Sequence, residues 1–257
     1  MLMKNIQVVY EDQDLLVLYK PAGVPVQSAR VGAKDCESLV KNYLYEKNPG
    51  KGAPYLGIVH RLDQPVEGLV LFALTQKAAA DLSRQSSERK MEKTYLAVRH
   101  VVDNRDVDIH KRQNICGKPP ENVEKLVDNW TECVDFLCKN GKENRSEIVP
   151  SSRPGAKKAV LRYRVLERKE GRELVEIRLE TGRHHQIRVQ MAGRGTPLVG
   201  DRKYGMENVE NCVDNVDNLF PALCAYRLRF RHPSTGKWME FEVKPQNPVF
   251  STFLSTK

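Results

Sequence analysis

LRYRVLERKEGRELVEIRLE, residues 161–180, decides the fold class. Leu161, Tyr163 and Val165 form one apolar face, and Val175, Ile177 and Leu179 answer it beyond a turn near Glu170 and Gly171. Side chains alternate between the faces of a strand, so two period-two runs around a glycine turn predict an antiparallel hairpin. The pattern recurs outward from it. In AYRLRFRH, Tyr226, Leu228 and Phe230 alternate with Arg227, Arg229 and Arg231; in KWMEFEVK, Met239, Phe241 and Val243 alternate with Glu240 and Glu242. HPSTG between them supplies the turn. IQVVY and LLVLYK flank EDQD near the start, and WTECVDFLCKNGKE reads as a further hairpin turning at Asn140 and Gly141.

Helices are fewer. ESLVKNYLYEK (37–47) and QKAAADLSRQ (76–85) carry helix formers, the second with Thr75 as its cap. HHQIRVQMAGR, after Thr181 and Gly182, predicts a short helix ended by Gly193 or Gly195. Adjacent hairpins with few helices give an α+β class: a large, mostly antiparallel or mixed sheet with a few flanking helices. We expect a single domain over residues 1–257, with an exposed excursion at about 103–158 that includes Pro119-Pro120 and several Asn and Lys.

Composition narrows the partner. The 257 residues hold 42 Lys and Arg against 33 Asp and Glu, a formal charge of +9. That surplus favours a polyanion, because basic surface steers phosphates in and gains from counterion release. No apolar run approaches the roughly 20 residues of a membrane span, and the start lacks a signal-peptide pattern. Six cysteines without a CxxC pair are expected to stay reduced, as core or surface thiols. These readings predict a cytoplasmic protein, monomeric and free of membrane contact.

HRLDQPVEGLVLFAL, residues 60–74, carries the chemistry. From Gly68 it is apolar at every step, as a strand covered on both faces would be. Pro65 makes the part before it a loop. If residues 59–63 are extended, Arg61 and Asp63 share one side, with His60 and Leu62 on the other. Alone, the segment favours a structural ion pair between Asp63 and Arg61. Two further segments change that: EKTYLAV (92–98), with Lys93, Tyr95 and Ala97 on one face, and TGRHHQIRVQMAGRGTPLVGDRKYG (181–205), dense in Arg183, Arg188 and Arg194.

HRLD followed by Gly and an apolar strand, then EKTYLAV, then the 181–205 segment, resembles the RluA-type family of pseudouridine synthases. YEDQDLLVLYKPAGVPV (10–26) is similar to the family's first motif, a strand ending in Lys-Pro. The resemblance implies an RNA pseudouridine synthase that isomerises uridines in structured ribosomal or transfer RNA, without cofactor or metal. It makes Asp63 the essential carboxylate, as nucleophile or as base. Arg188 would be its salt-bridge partner, Tyr95 would stack on the target base, and Arg61 would sit close to the flipped nucleotide. Arg183 is a further candidate for substrate binding.

The chain also departs from the family pattern. PVEG stands where a hydroxyl residue and Gly are usual, so Glu67 places a second negative charge near the site, and His184 replaces a Thr. The small N-terminal RNA-binding domain of many relatives is not expected here. The alternative function is a non-catalytic RNA-binding or ribosome-assembly factor on the same fold. A metal-dependent RNA hydrolase wants clustered carboxylates and His at ligand spacing, and none is found in the sequence. His184 and His185 are adjacent and would splay apart on a helix, which is poor metal geometry. The stripe Arg227, Arg229, Arg231 reads as a solvated strand face.

Overall fold

The computed structural model describes residues 7–101, 124–205 and 220–254 apart from 30, 31, 33, 51 and 128, with 124–127 as backbone only. Along the chain, strands β1 (Gln7–Glu11) and β2 (Leu15–Lys20) precede helix α1 (Cys36–Lys47). Then come β3 (Gly57–Ile58), β4 (Glu67–Ala73), α2 (Gln76–Ser87) and β5 (Glu92–His100). The strands β6 (Glu124–Val127), β7 (Trp130–Asn140), β8 (Arg145–Ile148), β9 (Lys157–Lys169) and β10 (Arg172–Leu179) lead to α3 (Gln186–Gly193). Strands β11 (Leu223–Arg231) and β12 (Trp238–Glu242) and a terminal helix α4 (Ser251–Leu254) complete the order. The class is α+β, with strands β4 and β11 parallel and all the hairpin pairs antiparallel.

The chain divides into two compact units, Met1–Tyr95 with Cys224–Asn247, and Leu96–Leu223 with Pro248–Lys257. In the first, the strand order is β1-β2-β4-β11, with β3 on β4 and β12 on β11. LLVLYK and EGLVLFA are buried at every position, as the apolar runs 15–19 and 69–73 require of strands covered on both faces. Leu15, Val17, Leu69 and Leu71 pack with Leu82 of α2 and with Leu228 and Phe230 of β11. Each such side chain contributes about 1.5–3 kcal/mol of burial. The Thr75 hydroxyl accepts from the Ala78 amide at 3.1 Å and starts α2 as anticipated.

In the second unit the order is β5-β10-β9-β7-β6, with β8 on β7. The β9–β10 register pairs Leu161 with Leu179, Tyr163 with Ile177 and Val165 with Val175, the pairing read from the sequence. Glu170 (φ 51°) and Gly171 (φ 69°) both take the left-handed conformation that a tight two-residue hairpin turn needs. Of the expected excursion, residues 103–123 and 128 lie outside the described residues. Trp130–Asn140 instead pairs with β9 along Thr131–Leu137 and buries Cys133 and Leu137 in the unit's interior. Cys36, Cys133, Cys138 and Cys224 are free thiols, and Cys116 and Cys212 lie outside the described residues. Among the described residues no helix is long and apolar enough to cross a membrane.

Candidate active site

Strand β3 ends at Ile58, and residues 59–63 leave the sheet. Leu62 is buried, Arg61 exposed and Asp63 half-buried, the alternation expected of an extended segment. A turn closed by the Val66 amide on the Asp63 carbonyl (3.0 Å) returns the chain to β4. Gly68 is required there: its φ is +124°, and a Cβ would sit 2.6 Å from the Ala225 nitrogen and 2.7 Å from its carbonyl carbon. Only glycine lets β11 approach β4 this closely.

Lys20, the last residue of β2, locks this loop. Its side chain is fully buried, and its ammonium donates to the carbonyls of Pro21 (3.0 Å), Val24 (2.7 Å) and Gln64 (3.0 Å). Three donors meet three acceptors, which is how a buried ammonium is made tolerable. The Gly23 amide also donates to the Gln64 carbonyl, and the Gln64 side chain donates back to the Gly23 carbonyl, each at 2.9 Å. The Lys-Pro loop is thereby stitched to the residue that follows Asp63. Burial pulls the Lys20 pKa down to about 8, opposed by the neighbouring acidic groups of Cys36, Asp63 and Glu67. At neutral pH the cation persists.

Glu67 has a local structural role. It is buried, and its carboxylate accepts from the Tyr19 hydroxyl (2.6 Å) and from the amides of Gln246 (3.0 Å) and Asn247 (3.1 Å). The charge is thus spent on tying the chain beyond β12 to the start of β4, and nothing in its position calls for a role in chemistry. No sequence signal near Glu67 points to partners so far along the chain. Tyr95 lies on β5, 6% exposed, and its phenol pKa is raised by burial and then by the charge of Asp63. It is a neutral, buried aromatic within reach of the Asp63 charge. Lys93, on the same strand, is half-buried, and burial lowers it to about 8.

The 181–205 segment belongs to the second unit. Gln186 opens α3, and its side-chain oxygen accepts from the Thr181 hydroxyl (2.8 Å) and the Arg183 amide (3.0 Å). Its NH₂ donates to the Val160 carbonyl at 3.0 Å, so the TGRHH loop is fastened to β9. Arg188 is bound bidentately by Asp201, Nε to Oδ2 and Nη2 to Oδ1, both at 2.7 Å, with the side chains 5% and 0% exposed. Asp201 also accepts from the amides of Lys203 (3.0 Å) and Tyr204 (3.2 Å). Sequence reasoning missed Asp201, although it stands in the same GDRKYG stretch. Arg183 is exposed, with Nε on the Lys158 carbonyl at 3.0 Å. Asp63, Arg61 and Tyr95 lie in the first unit, Arg188 and Arg183 in the second.

His184 and His185 do not splay apart: their rings stack with centroids 3.7 Å apart, because His185 adopts φ 54° ahead of α3. Their nitrogens face Ser146, Asn144 and the Tyr204 hydroxyl, at 2.9, 3.1 and 2.8 Å. Burial first, then nearby cations, lowers them to about 4 and about 3. Among the described residues, Asp12, Asp14 and His232 group metal-binding side chains within 4.8 Å. Asp12 there accepts from the His232 ring (2.8 Å), the Tyr10 hydroxyl (2.9 Å) and the amides of Asp14 (2.8 Å) and Leu15 (3.0 Å). His232 Nδ1 accepts from the Ser234 and Thr235 amides, so the group is a turn anchor. The arginine stripe on β11 faces Glu242, Glu240 and Trp238 across the register, and the guanidiniums of Arg229 and Arg231 lie 4.4 and 4.7 Å from the Trp238 ring centroid. Arg229 is ion-paired there with Glu92 and Glu240, at 3.2 and 3.6 Å.

Residues 14–193 match the family model described as RNA pseudouridylate synthase. Among curated relatives, ribosomal large subunit pseudouridine synthase D of Neisseria meningitidis serogroup B is 34% identical over 95% of this chain and 59% of its own length. The protein of the same name from Vibrio cholerae is 32% identical over 98% of this chain and 71% of its own. The chain thus spans about three-fifths of the Neisseria relative. Human RNA Pseudouridylate Synthase Domain Containing 4 superposes with a TM-score of 0.70 at 20% identity, covering 95% of this chain and 91% of the other. That likeness shows the fold.

Proposed function

The chain belongs to the RNA pseudouridylate synthase family, and from that premise we propose that it isomerises uridine to pseudouridine in structured RNA through Asp63. The N1–C1′ bond of the nucleotide breaks, the base turns, and a C5–C1′ bond forms. The proton lost from C5 is matched by one gained at N1, so nothing is consumed and no cofactor is needed. Reaching C1′ in folded RNA requires a flipped nucleotide. Asp63 supplies the carboxylate, as nucleophile or as base at the ribose. Tyr95, neutral and buried beside it, contacts the base. Arg188, which Asp201 holds rigid, is assigned with Arg61 and Arg183 to binding the RNA.

The observation that carries this reading is the Asp63 loop itself. A half-buried carboxylate is fixed by the Lys20 clamp on its neighbour and lies close enough to a buried phenol to raise its pKa. The names of the bacterial relatives support ribosomal RNA as the substrate class, with transfer RNA as the alternative. A cytoplasmic monomer acting without metal completes the reading. The test is pseudouridine mapping of ribosomal and transfer RNA from cells with the gene, without it, and with Asp63→Asn. We expect one or more sites lost with the gene and not restored by Asp63→Asn. Full restoration by that variant would support a non-catalytic RNA-binding or assembly factor instead.

A further inference from the structure

Strand β4 has two edges. One pairs with β2 from Gly68 to Ala73. On the other, β11 covers Glu67 and Gly68, and β3 covers Phe72 and Ala73. Between them β3 has already stopped, because the chain must turn off toward Asp63. There the Leu71 amide donates to Nε2 of His60 at 3.3 Å. The imidazole stands where a third residue of β3 would have offered its carbonyl.

Accepting that bond places the ring proton on Nδ1. Nδ1 is shut off from solvent and has no hydrogen-bond partner among the described residues. A buried donor without an acceptor is costly, and an apolar side chain would fill the space without that cost. The ring therefore earns its place through Nε2. Burial, with the Lys93 charge added, pushes the imidazole well below its ordinary pKa, so Nε2 remains an acceptor.

We infer that His60 is a positioning residue: by holding the Leu71 amide it ends β3 at Ile58 and sets the course of residues 59–63, and with it the placement of the Asp63 carboxylate. The inference rests on the assignment of Asp63 to the chemistry. Arg61 and Asp63 are one and three residues from the anchoring ring, so a lost anchor is felt where the reaction occurs. It is felt less in RNA affinity, which is spread over many phosphate contacts.

His60→Gln keeps an oxygen acceptor near the Nε2 position, and His60→Leu removes it. With purified full-length chain and substrate RNA, His60→Leu is expected to lower kcat on the order of 10- to 100-fold while KM stays within about twofold, since small misplacements of a reacting group cost that much. His60→Gln is expected to recover kcat to within about fivefold, by the same reasoning. Nitrogen-15 NMR of the wild-type histidines should show His60 as the neutral Nδ1–H tautomer. Unchanged kcat in His60→Leu, a folded His60→Gln slower than about 100-fold, or an Nε2–H tautomer would each overturn the inference. If His60→Leu does not fold, the tautomer and His60→Gln still decide it. Failure of the Asp63 assignment shows separately, as turnover by Asp63→Asn.

Discussion

Replacing Glu67 by Ala and by Gln separates anchoring from chemistry. The alanine removes the acceptor of the Tyr19 hydroxyl and of the Gln246 and Asn247 amides. A hydrogen bond to a charged acceptor contributes about 1.5–3 kcal/mol. Gln246 is exposed and Asn247 half-buried, so water can replace part of what their amides lose. Tyr19 is only 3% exposed, and its hydroxyl would be stranded beside a cavity. The expected loss for Glu67→Ala is therefore about 3–5 kcal/mol. Glutamine keeps an oxygen for both amides and turns its NH₂ toward Tyr19, whose hydroxyl can accept instead, so that variant should cost about 1 kcal/mol. Urea unfolding at pH 7.5, followed with tritium release from uridine-labelled RNA, reads both effects. Glu67→Gln should turn over within about threefold of wild type, a barrier change below 1 kcal/mol. Glu67→Ala as stable as wild type would refute the anchoring role. A well-folded Glu67→Gln that is inactive would show that the charge serves the reaction.

Gly68→Ala should cost about 3 kcal/mol or more, from its positive φ and the Ala225 backbone, and be seen as a lowered Tm or loss of soluble protein. Lys20→Met strands the Pro21 and Val24 carbonyls and should destabilise the first unit on the order of 3–5 kcal/mol in urea unfolding. The histidine pair makes the second unit sensitive to acid. The folded rings stay neutral down to about 4 and about 3, whereas unfolded ones protonate near 6.5. Over that window the unfolded state binds more protons, so stability falls as pH drops from about 6.5 toward 4 and is unaffected above about 7. Thermal melts from pH 7.5 to 5 should show the slope, and a His184→Asn, His185→Asn double variant should flatten it.

The β9–β10 and β11–β12 hairpins were legible because apolar residues alternate with charged ones along each strand, so Leu161, Tyr163 and Val165 announce their partners in β10. Helix α3 was legible as a helix but not in its surroundings. Residues 186–191 are all buried, so no amphipathic stripe marks a face, and its polar side chains bond inward. Arg188 meets Asp201, and Gln190 donates to Asp135 at 2.6 Å. WTECVDFLCKNGKE was legible as a hairpin, yet Pro119-Pro120 and the Asn and Lys around it suggested an exposed excursion. Asp135 is in fact 2% exposed, held by Gln190 and by Arg194 at 2.8 Å. Buried charge paired across long sequence separations leaves no local signal. The same holds for Lys20, which acts through three backbone carbonyls, and for Glu67, whose partners lie 48, 179 and 180 residues away.

Tritium release from RNA labelled at uridine C5 tests the central claim most directly, because the label leaves only if the base is rejoined through that carbon. The wild-type chain is expected to release tritium from ribosomal or transfer RNA in the presence of EDTA, and folded Asp63→Asn to release none. Release by Asp63→Asn at the wild-type rate would contradict the account.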